Sequence, residues 1–316
     1  MINIKFYRDY RDIKEKFLRT TVAIGNFDGL HLGHTELLNH AKDLSIKSKS
    51  LLLVFTFYPH PLKLIRPGSE PKKILRLRTK LKKMSHIGVD VVLAQRFNNS
   101  FSKISAEDFV LKILLKHLNA VNIIVGKDFC FGHKRKGNVE YLGSGILDNK
   151  SELEVIATVK GPKGKYSSTT LRNLIQKGDM EEVKNMLGSY YEVEGKVFKG
   201  QQLGRKLGFP TVNINYLDCI TPKDGIYAGF IVFEGKRFEA ALSSGVRPQF
   251  NGKKRFLEAH IMNFSKNIYG RRVRVLFVNK IRDETVFEDV SKLKKQMLSD
   301  CKEAIRLLRN IKNINL

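Results

Sequence analysis

The chain of 316 residues is poor in cysteine, contains no tryptophan and has no long apolar run. Its three cysteines, Cys130, Cys219 and Cys301, are too far apart to predict a disulfide framework or a metal-binding spacing, which is typical of a reducing compartment. The longest apolar run, Leu51–Tyr58, is much too short to cross a bilayer. The N-terminus is charged and does not resemble a signal peptide. We therefore expect a soluble cytoplasmic protein with no membrane partner.

Acidic residues are also scarce. There are 31 Asp and Glu against 57 Lys and Arg, which gives a formal net charge of +26. Such an excess favours anionic partners. Because the basic residues are spread along the chain rather than gathered in a tail or a block, we expect no specific nucleic-acid partner. Substrates that carry several phosphates suit the same charge.

The pattern from about Thr21 to Val159 alternates between β-type and helical segments, and the chain is long enough for two domains. Strands are expected at Thr21–Ile24, Leu51–Phe57, Val89–Ala94, Val121–Val125 and Leu153–Val159. Helices are expected near Thr35–Lys47, Ile74–His86, Ala106–His117 and Val139–Asp148. This alternation predicts a doubly wound, mostly parallel α/β sheet, whose ligands bind at the carboxyl ends of the strands.

The most informative segment is Gly25–His34, GNFDGLHLGH, which joins the first predicted strand to the first helix. A glycine-rich turn at a helix N-terminus presents backbone N–H groups to a phosphate. Two histidines three residues apart, His31 and His34, can face the same anion. The alternative is that both histidines merely cap the helix.

Three later segments are expected at the same edge of the sheet. Pro59-His60-Pro61 closes the second strand, and the alternative there is a proline turn with an exposed histidine. Gly126–Gly132 contains two aromatic side chains that either stack on a planar ligand or pack the loop. Ser167–Arg172 opens another helix with hydroxyl groups, which either cap that helix or form a second anion site.

Taken in order, these segments resemble the adenylyltransferase module of the bifunctional riboflavin kinase/FAD synthetase family, which has a Rossmann-like nucleotidylyltransferase fold. The resemblance implies catalytic roles in adenylyl transfer for His31, His34 and Arg172. It implies an ATP site made of Gly25, Phe27, Asp28, Gly29, His31, His34, Ser168, Thr169 and Arg172. It implies flavin contacts from His60, Asp128 and Phe129.

After Leu187 the helical alternation stops. Short β-type runs follow, at Tyr191–Phe198, Gly229–Phe233, Phe238–Ser243, Phe256–Met262 and Val273–Val278. The chain then closes with an amphipathic helix from Val290 to about Asn310. This pattern predicts a small antiparallel β-barrel capped by a C-terminal helix. We expect domains at residues 1–187 and 188–316.

The second half carries its own motif, Gly204–Asn213, GRKLGFPTVN. Thr211 and Asn213 are two residues apart and share a face of an extended strand. Their hydroxyl and amide oxygens suit Mg²⁺ together with substrate phosphates. The alternative is an ordinary Gly/Pro turn followed by two polar strand residues. The segment resembles the riboflavin kinase signature, which implies that Thr211 and Asn213 hold Mg-ATP and that Gly204 and Lys206 contact its phosphates.

A kinase also needs a group that orients or deprotonates the attacking hydroxyl. Glu258 lies within the apolar run FLEAH, where it is either a solvent-facing position of an alternating strand or a functional carboxylate. The resemblance places a catalytic base there and selects Glu258. Ser243 and Gln249 depart from the family pattern, in which Asn and Thr are usual, and this puts the flavin-side contacts in question.

The function expected from the sequence is ATP-dependent phosphorylation of riboflavin to FMN, followed by transfer of AMP from ATP to FMN, with Mg²⁺ as the cofactor. Two alternatives stay open at this point. In the first, the chain is an adenylyltransferase whose barrel has lost kinase activity and only binds flavin. In the second, the whole chain is a flavin-responsive regulator that binds nucleic acid. The sequence predicts no particular oligomeric state.

Overall fold

The computed structural model describes residues 4–14, 17–146, 151–161, 164–200, 203–216, 219–246 and 255–311. These residues form two compact units. The first unit comprises Met1–Pro71 and Leu77–Ser167, and the second comprises Lys72–Arg76 and Ser168–Leu316. None of the helices in the described ranges has the length and apolar character that crossing a bilayer requires.

The first unit is built on a six-stranded parallel sheet with the order β1-β4-β3-β2-β5-β6. Its strands are β1 (Lys5–Tyr7), β2 (Thr20–Ile24), β3 (Leu51–Phe57), β4 (Val91–Gln95), β5 (Ala120–Gly126) and β6 (Glu152–Ile156), followed by a short hairpin of β7 (Lys160–Gly161) and β8 (Gly164–Lys165). The chain order reverses at β2, between β3 and β5, so the carboxyl end of β2 is a switch point where such sheets bind ligands.

The helices of the first unit cover the sheet. They are α1 (Leu32–Lys47), α2 (Leu62–Ile65), α3 (Leu77–Ile87), α4 (Asn99–Ser102), α5 (Ala106–Asp108) and α6 (Val139–Ile146), with a π-helical segment at Phe109–His117. Every residue of β2 and β4 is buried, as expected for central parallel strands covered on both faces. One core cluster joins the strands to the π-helical segment through Phe55, Phe109 and Ile113.

The second unit contains a closed six-stranded antiparallel barrel with the order β10-β13-β12-β11-β14-β9. Its strands are β9 (Tyr191–Phe198), β10 (Thr211–Asn215), β11 (Gly225–Phe233), β12 (Lys236–Val246), β13 (Arg255–Ile261) and β14 (Arg272–Arg282). Its helices are α7 (Ser168–Lys177), α8 (Met180–Leu187), α9 (Leu203–Lys206) and α10 (Val290–Leu308). Ala304 and Leu308 of α10 pack on Phe230 and Leu276 of the barrel, so the C-terminal helix caps it as predicted.

The predicted fold class is confirmed for both halves, while several boundaries move. β1 is a short edge strand that the sequence pattern did not indicate, and β10 is a strand of its own rather than only a motif. The first helix begins at Leu32 instead of Thr35, which makes His31 its N-cap residue. The predicted helix end at Asp148 lies outside the described residues.

Candidate active sites

The turn between β2 and α1 is held by buried apolar side chains. Phe27 and Leu30 are almost fully buried, and both adopt left-handed backbone conformations, with φ of 47° at each. Such a conformation is disfavoured for side chains of this size and persists only where packing imposes it. Gly29 between them, with φ of 88°, needs no such compensation. The turn therefore has one defined shape at the switch point of the sheet.

This turn brings His31 and His34 together. Their rings are stacked, with centroids 3.7 Å apart and planes inclined by 16°. The backbone N–H of His34 donates to Nδ1 of His31 over 3.3 Å, so a neutral His31 carries its proton on Nε2. Nδ1 of His34 is buried and has no hydrogen-bond partner among the described residues. The pair therefore combines a helix cap with polar ring atoms that helix capping does not use.

Both rings are neutral at physiological pH. Burial lowers the pKa of His31 from its ordinary 6.5 to about 4. Burial, followed by the charges of His31 and Lys80, lowers the pKa of His34 well below its ordinary value. Two neutral imidazoles can stack without repulsion, and each can donate one N–H to a negatively charged ligand.

This electrostatic state predicts how stability depends on pH. The unfolded chain protonates these rings below pH 6.5, whereas folded His31 takes a proton only near pH 4. The free energy of unfolding should therefore fall, by on the order of 3 kcal/mol, as the pH drops from 6.5 to 4. Urea unfolding of the parent and of His31→Asn across this range measures it. A variant curve as steep as the parent's would contradict the prediction.

The predicted flavin contacts lie on loops of the same unit. His60 precedes α2, and its Nδ1 accepts a hydrogen bond from the Leu62 N–H over 3.2 Å. Asp128 is exposed and pairs with Lys165 over 2.7 Å, which lowers the pKa of the Asp128 carboxyl. Phe129 stacks on the buried Phe131 with ring centroids 5.3 Å apart, so one of its faces packs the loop. Their roles in flavin binding stay predictions.

The predicted anion site of the Ser/Thr-rich helix belongs to the second unit. Ser168 and Thr169 open α7, and Arg172 lies in its second turn. Nε of Arg172 donates to the backbone carbonyl of Lys72 over 2.9 Å. The roles of these three side chains in ATP binding stay predictions.

In the barrel, strand pairing aligns the predicted kinase residues. The register places Asn213 of β10 opposite Glu258 of β13, and Glu258 opposite Ser243 of β12. Residues directly opposite each other in a sheet project from the same face. The hydroxyl of Thr211 also donates to Oε2 of Glu258 over 3.3 Å. One polar row, Asn213-Glu258-Ser243, therefore crosses three strands, and Thr211 joins it at Glu258.

Two glycines allow the backbone to approach this row closely. A Cβ atom on Gly200 would lie only 2.2 Å from Nδ2 of Asn213, and one on Gly204 would lie 2.4 Å from the carbonyl oxygen of Phe209 and 3.2 Å from the Thr211 hydroxyl. Asn213 is consequently only 3% exposed, and its Oδ1 has no hydrogen-bond partner among the described residues. A buried amide oxygen without a partner costs free energy, which a bound cation or donor recovers.

The close approach at Gly200 carries a testable prediction. Gly200→Ala forces a methyl group against Asn213 and should lower FMN formation from riboflavin at least tenfold, while FAD formation from supplied FMN stays unchanged. Gly143→Ala in α6 serves as the control, because a Cβ atom there would meet only Cδ2 of Leu153, at an ordinary contact distance of 3.6 Å. Flavin products separated by chromatography give both rates. Equal loss of FMN formation in the two variants would show that the contact with Asn213 is irrelevant.

Two residues of this region were not assigned a role from the sequence. Gly200 stands outside the Gly204–Asn213 motif, and only the folded geometry reveals its contact. His260 pairs with Thr211 in the strand register, and its Nδ1 lies 2.9 Å from the carbonyl oxygen of Pro210. The alternating strand pattern of β13 placed His260 on the Glu258 face and was the available signal. The side chain of Lys206 and the whole of Gln249 lie outside the described residues.

A parallel α/β sheet joined to a closed antiparallel barrel is the architecture that the sequence predicted for an enzyme of phosphorylated nucleotides. Comparison with known sequences agrees. The FAD synthetase family matches residues 13–170, and the riboflavin kinase family matches residues 187–308.

Full-length relatives extend this agreement. The bifunctional riboflavin kinase/FMN adenylyltransferase of Buchnera aphidicola subsp. Schizaphis graminum is 36% identical to this chain, and the alignment covers 94% of this chain and 96% of the relative. The Haemophilus influenzae protein of the same name is 34% identical, and the alignment covers 90% of this chain and 92% of that protein. A crystal structure from Streptococcus pneumoniae, described as a macrolide-efflux protein, superposes with a TM-score of 0.85 at 30% identity over 96% of this chain and 99% of that one.

The chain belongs to the bifunctional riboflavin kinase/FMN adenylyltransferase family. It is a transferase with two activities, riboflavin kinase and FMN adenylyltransferase. The family assignment confirms the two activities expected from the sequence and gives no support to the binding-only and regulator alternatives.

Proposed function

We propose that the two activities use separate groups of residues, with adenylyl transfer at His31 and His34 and phosphoryl transfer at Thr211, Asn213 and Glu258. The functional boundary between them is placed near Leu187. The observation that carries the proposal is the pair of buried ring and amide atoms, Nδ1 of His34 and Oδ1 of Asn213, which lack partners among the described residues. Each belongs to a group that the fold holds in one geometry, as a preorganised binding site requires.

In adenylyl transfer, a phosphate oxygen of FMN attacks the α-phosphorus of ATP and the bond to the β-phosphate oxygen breaks, so FAD forms and pyrophosphate leaves. No covalent enzyme intermediate is needed. Negative charge grows on the departing pyrophosphate. In this proposal, that charge receives hydrogen bonds from the Nε2–H of His31, the ring of His34 and the first N–H groups of α1 other than that of His34, which donates to His31. Catalysis is therefore mainly positioning and charge stabilisation.

In phosphoryl transfer, the 5′-hydroxyl of riboflavin attacks the γ-phosphorus of ATP and the bond to the β-phosphate oxygen breaks, so FMN forms and ADP leaves. Glu258 accepts the hydroxyl proton, and its carboxylate is oriented by the Thr211 hydroxyl. Ser243 lies beside Glu258 in the strand register, on the side away from Asn213. One of the two residues that depart from the family pattern, Ser243, is therefore a neighbour of the proposed base.

The barrel residues fit Mg²⁺ as the cofactor of phosphoryl transfer. The buried Oδ1 of Asn213 and the Thr211 hydroxyl are hard oxygen ligands, and Gly200 and Gly204 leave the space that a Cβ atom would fill. The described residues include no cluster of three or more His, Cys, Asp or Glu suited to a metal ion. We therefore assign the remaining ligands to water and ATP phosphates. When bound, Mg²⁺ neutralises charge on the transferring phosphate.

The test uses purified protein with ATP and Mg²⁺ in two reactions, one started from riboflavin and one from FMN. We expect FMN and then FAD in the first reaction, and FAD in the second. Chelation of Mg²⁺ should abolish FMN formation, and Asn213→Ala should raise the Mg²⁺ concentration needed for half-maximal rate at least tenfold. An unchanged Mg²⁺ requirement in Asn213→Ala would remove this residue from the metal site.

A further inference from the structure

Lys80 is a buried lysine of α3 that belongs to none of the motifs found in the sequence. Its side chain is only 7% exposed, and it shares the inner face of the helix with Met84. Its Nζ donates to the backbone carbonyl of Asn26 over 2.8 Å. Burying an ammonium group costs free energy that a surface position avoids. Its contact is with the turn that carries the histidine pair.

The Asn26 carbonyl is held from two directions. The Thr56 hydroxyl of β3 donates to the same oxygen over 3.1 Å, and Thr56 is itself fully buried. One residue earlier, the Gly25 N–H donates to the Phe55 carbonyl over 3.1 Å. A carbonyl oxygen has two lone pairs, so Lys80 and Thr56 together use its accepting capacity. The turn is therefore clamped between β3 and α3 immediately before Phe27 reverses the chain.

The clamp is close to the histidines in structure as well as in sequence. The Phe27 ring packs edge-on against His34 with centroids 5.4 Å apart, and it also lies against Gly25. Displacing Asn26 would therefore displace the ring that supports His34. The Lys80 charge also acts on His34, since it contributes to lowering the pKa of that ring.

We propose that Lys80 is a positioning residue for adenylyl transfer, which fixes the Gly25–His31 turn through the Asn26 carbonyl and adds a fixed positive charge to the site that receives the ATP triphosphate. The proposal rests on the role assigned above to His31 and His34. Because a buried ammonium attracts phosphate more strongly than a solvated one, its loss should weaken both the alignment and the binding of ATP.

The experiment compares Lys80→Met with Lys82→Met, which removes an equal charge from the same helix two residues away. We expect Lys80→Met to lower kcat/KM for FAD formation 30-fold or more, through a raised KM for ATP and a lowered kcat. Riboflavin kinase kinetics in the same preparation should stay within twofold of the parent. Lys82→Met should stay within twofold for both activities. Equal losses in the two variants would mean that Lys80 acts only through the net charge of the protein, and this would overturn the proposal.

Lys80→Gln and Lys80→Arg keep the test decisive if Lys80→Met fails to fold. Gln retains a donor for Asn26 without the charge, and Arg retains the charge. We expect Lys80→Gln to lose at least fivefold in kcat/KM for FAD formation, and Lys80→Arg to recover part of that loss. A folded Lys80→Gln enzyme with parental kinetics overturns the proposal. If His34→Asn retains activity, the assigned histidine role fails instead, so the two failures are distinguishable.

Discussion

Replacing His34 with asparagine is expected to lower kcat/KM for FAD formation from FMN and ATP by about 10²–10³-fold. The buried ring of His34 stacks on His31 and carries a nitrogen that no described residue uses. An asparagine side chain retains hydrogen-bonding groups, but it is shorter and cannot reproduce the stacked ring or its position. The loss should appear mainly in kcat, because the developing charge on pyrophosphate is greater than the ground-state charge on any one oxygen.

The control for this variant is His40→Asn on the same helix. His40 is part-exposed and lies 3.6 Å from Glu154, so its replacement changes a histidine without touching the turn. The steady-state rate of FAD formation should be about 10²–10³-fold lower in His34→Asn than in His40→Asn. FMN formation from riboflavin should equal that of the parent in both variants. If His34→Asn lowered the two activities equally, a general loss of folded protein would explain the result and the assignment to adenylyl transfer would fail.

The turn shows what sequence reasoning can reach. The order of strand, glycine-rich turn and helix predicted an anion site because backbone N–H groups at a helix N-terminus are unpaired by construction. The unpaired N–H groups follow from the order of residues in the Gly25–His34 segment alone. That order could not reveal Lys80, which lies 54 residues from Asn26 along the chain and meets it only when α3 packs beside the turn. A lysine among the other basic residues of this helix carries no signal of burial.

In the barrel, too, some features follow from local sequence and others only from the folded structure. The spacing of Thr211 and Asn213 placed both on one face of a strand, which the local period of two is enough to predict. Opposing Glu258 to Asn213 requires the register of β10 against β13, a pairing across 45 residues of sequence that local patterns do not specify. The choice of Glu258 as the base therefore came from family resemblance. The register adds a physical reason, since it aligns the carboxylate with the proposed Mg²⁺ ligand.

The packing of the Gly126–Gly132 loop could not be predicted from its sequence. Two phenylalanines between glycines slightly favoured stacking on a planar ligand, with loop packing as the alternative. In the folded protein, Phe131 is buried against Phe109, and Phe129 stacks on Phe131. The stacking on Phe131 therefore occupies one face of the Phe129 ring. Composition alone does not decide this, because the outcome depends on whether the core of the first unit has room for one ring or two.

Glu258→Gln is expected to lower kcat for FMN formation by about 10²–10⁴-fold, the usual contribution of a general base. The amide is nearly isosteric with the carboxylate and can still accept a hydrogen bond from the Thr211 hydroxyl, so the strand pairing and the ATP site should persist. What the variant loses is the capacity to take up the proton of the riboflavin 5′-hydroxyl. The KM for ATP should consequently change by less than threefold.

A matched control separates this loss from a general effect of removing a barrel carboxylate. Glu234→Gln changes an exposed side chain of the β11–β12 turn that pairs with Arg271 at the surface, a contact worth less than about 1 kcal/mol. Its rates of FMN and FAD formation should match the parent. Glu258→Gln should also form FAD from supplied FMN at the parental rate, because adenylyl transfer does not use the carboxylate. A kcat for FMN formation within fivefold of the parent would mean that Glu258 is a solvent-facing strand residue, and that the riboflavin hydroxyl loses its proton to the transferring phosphate itself.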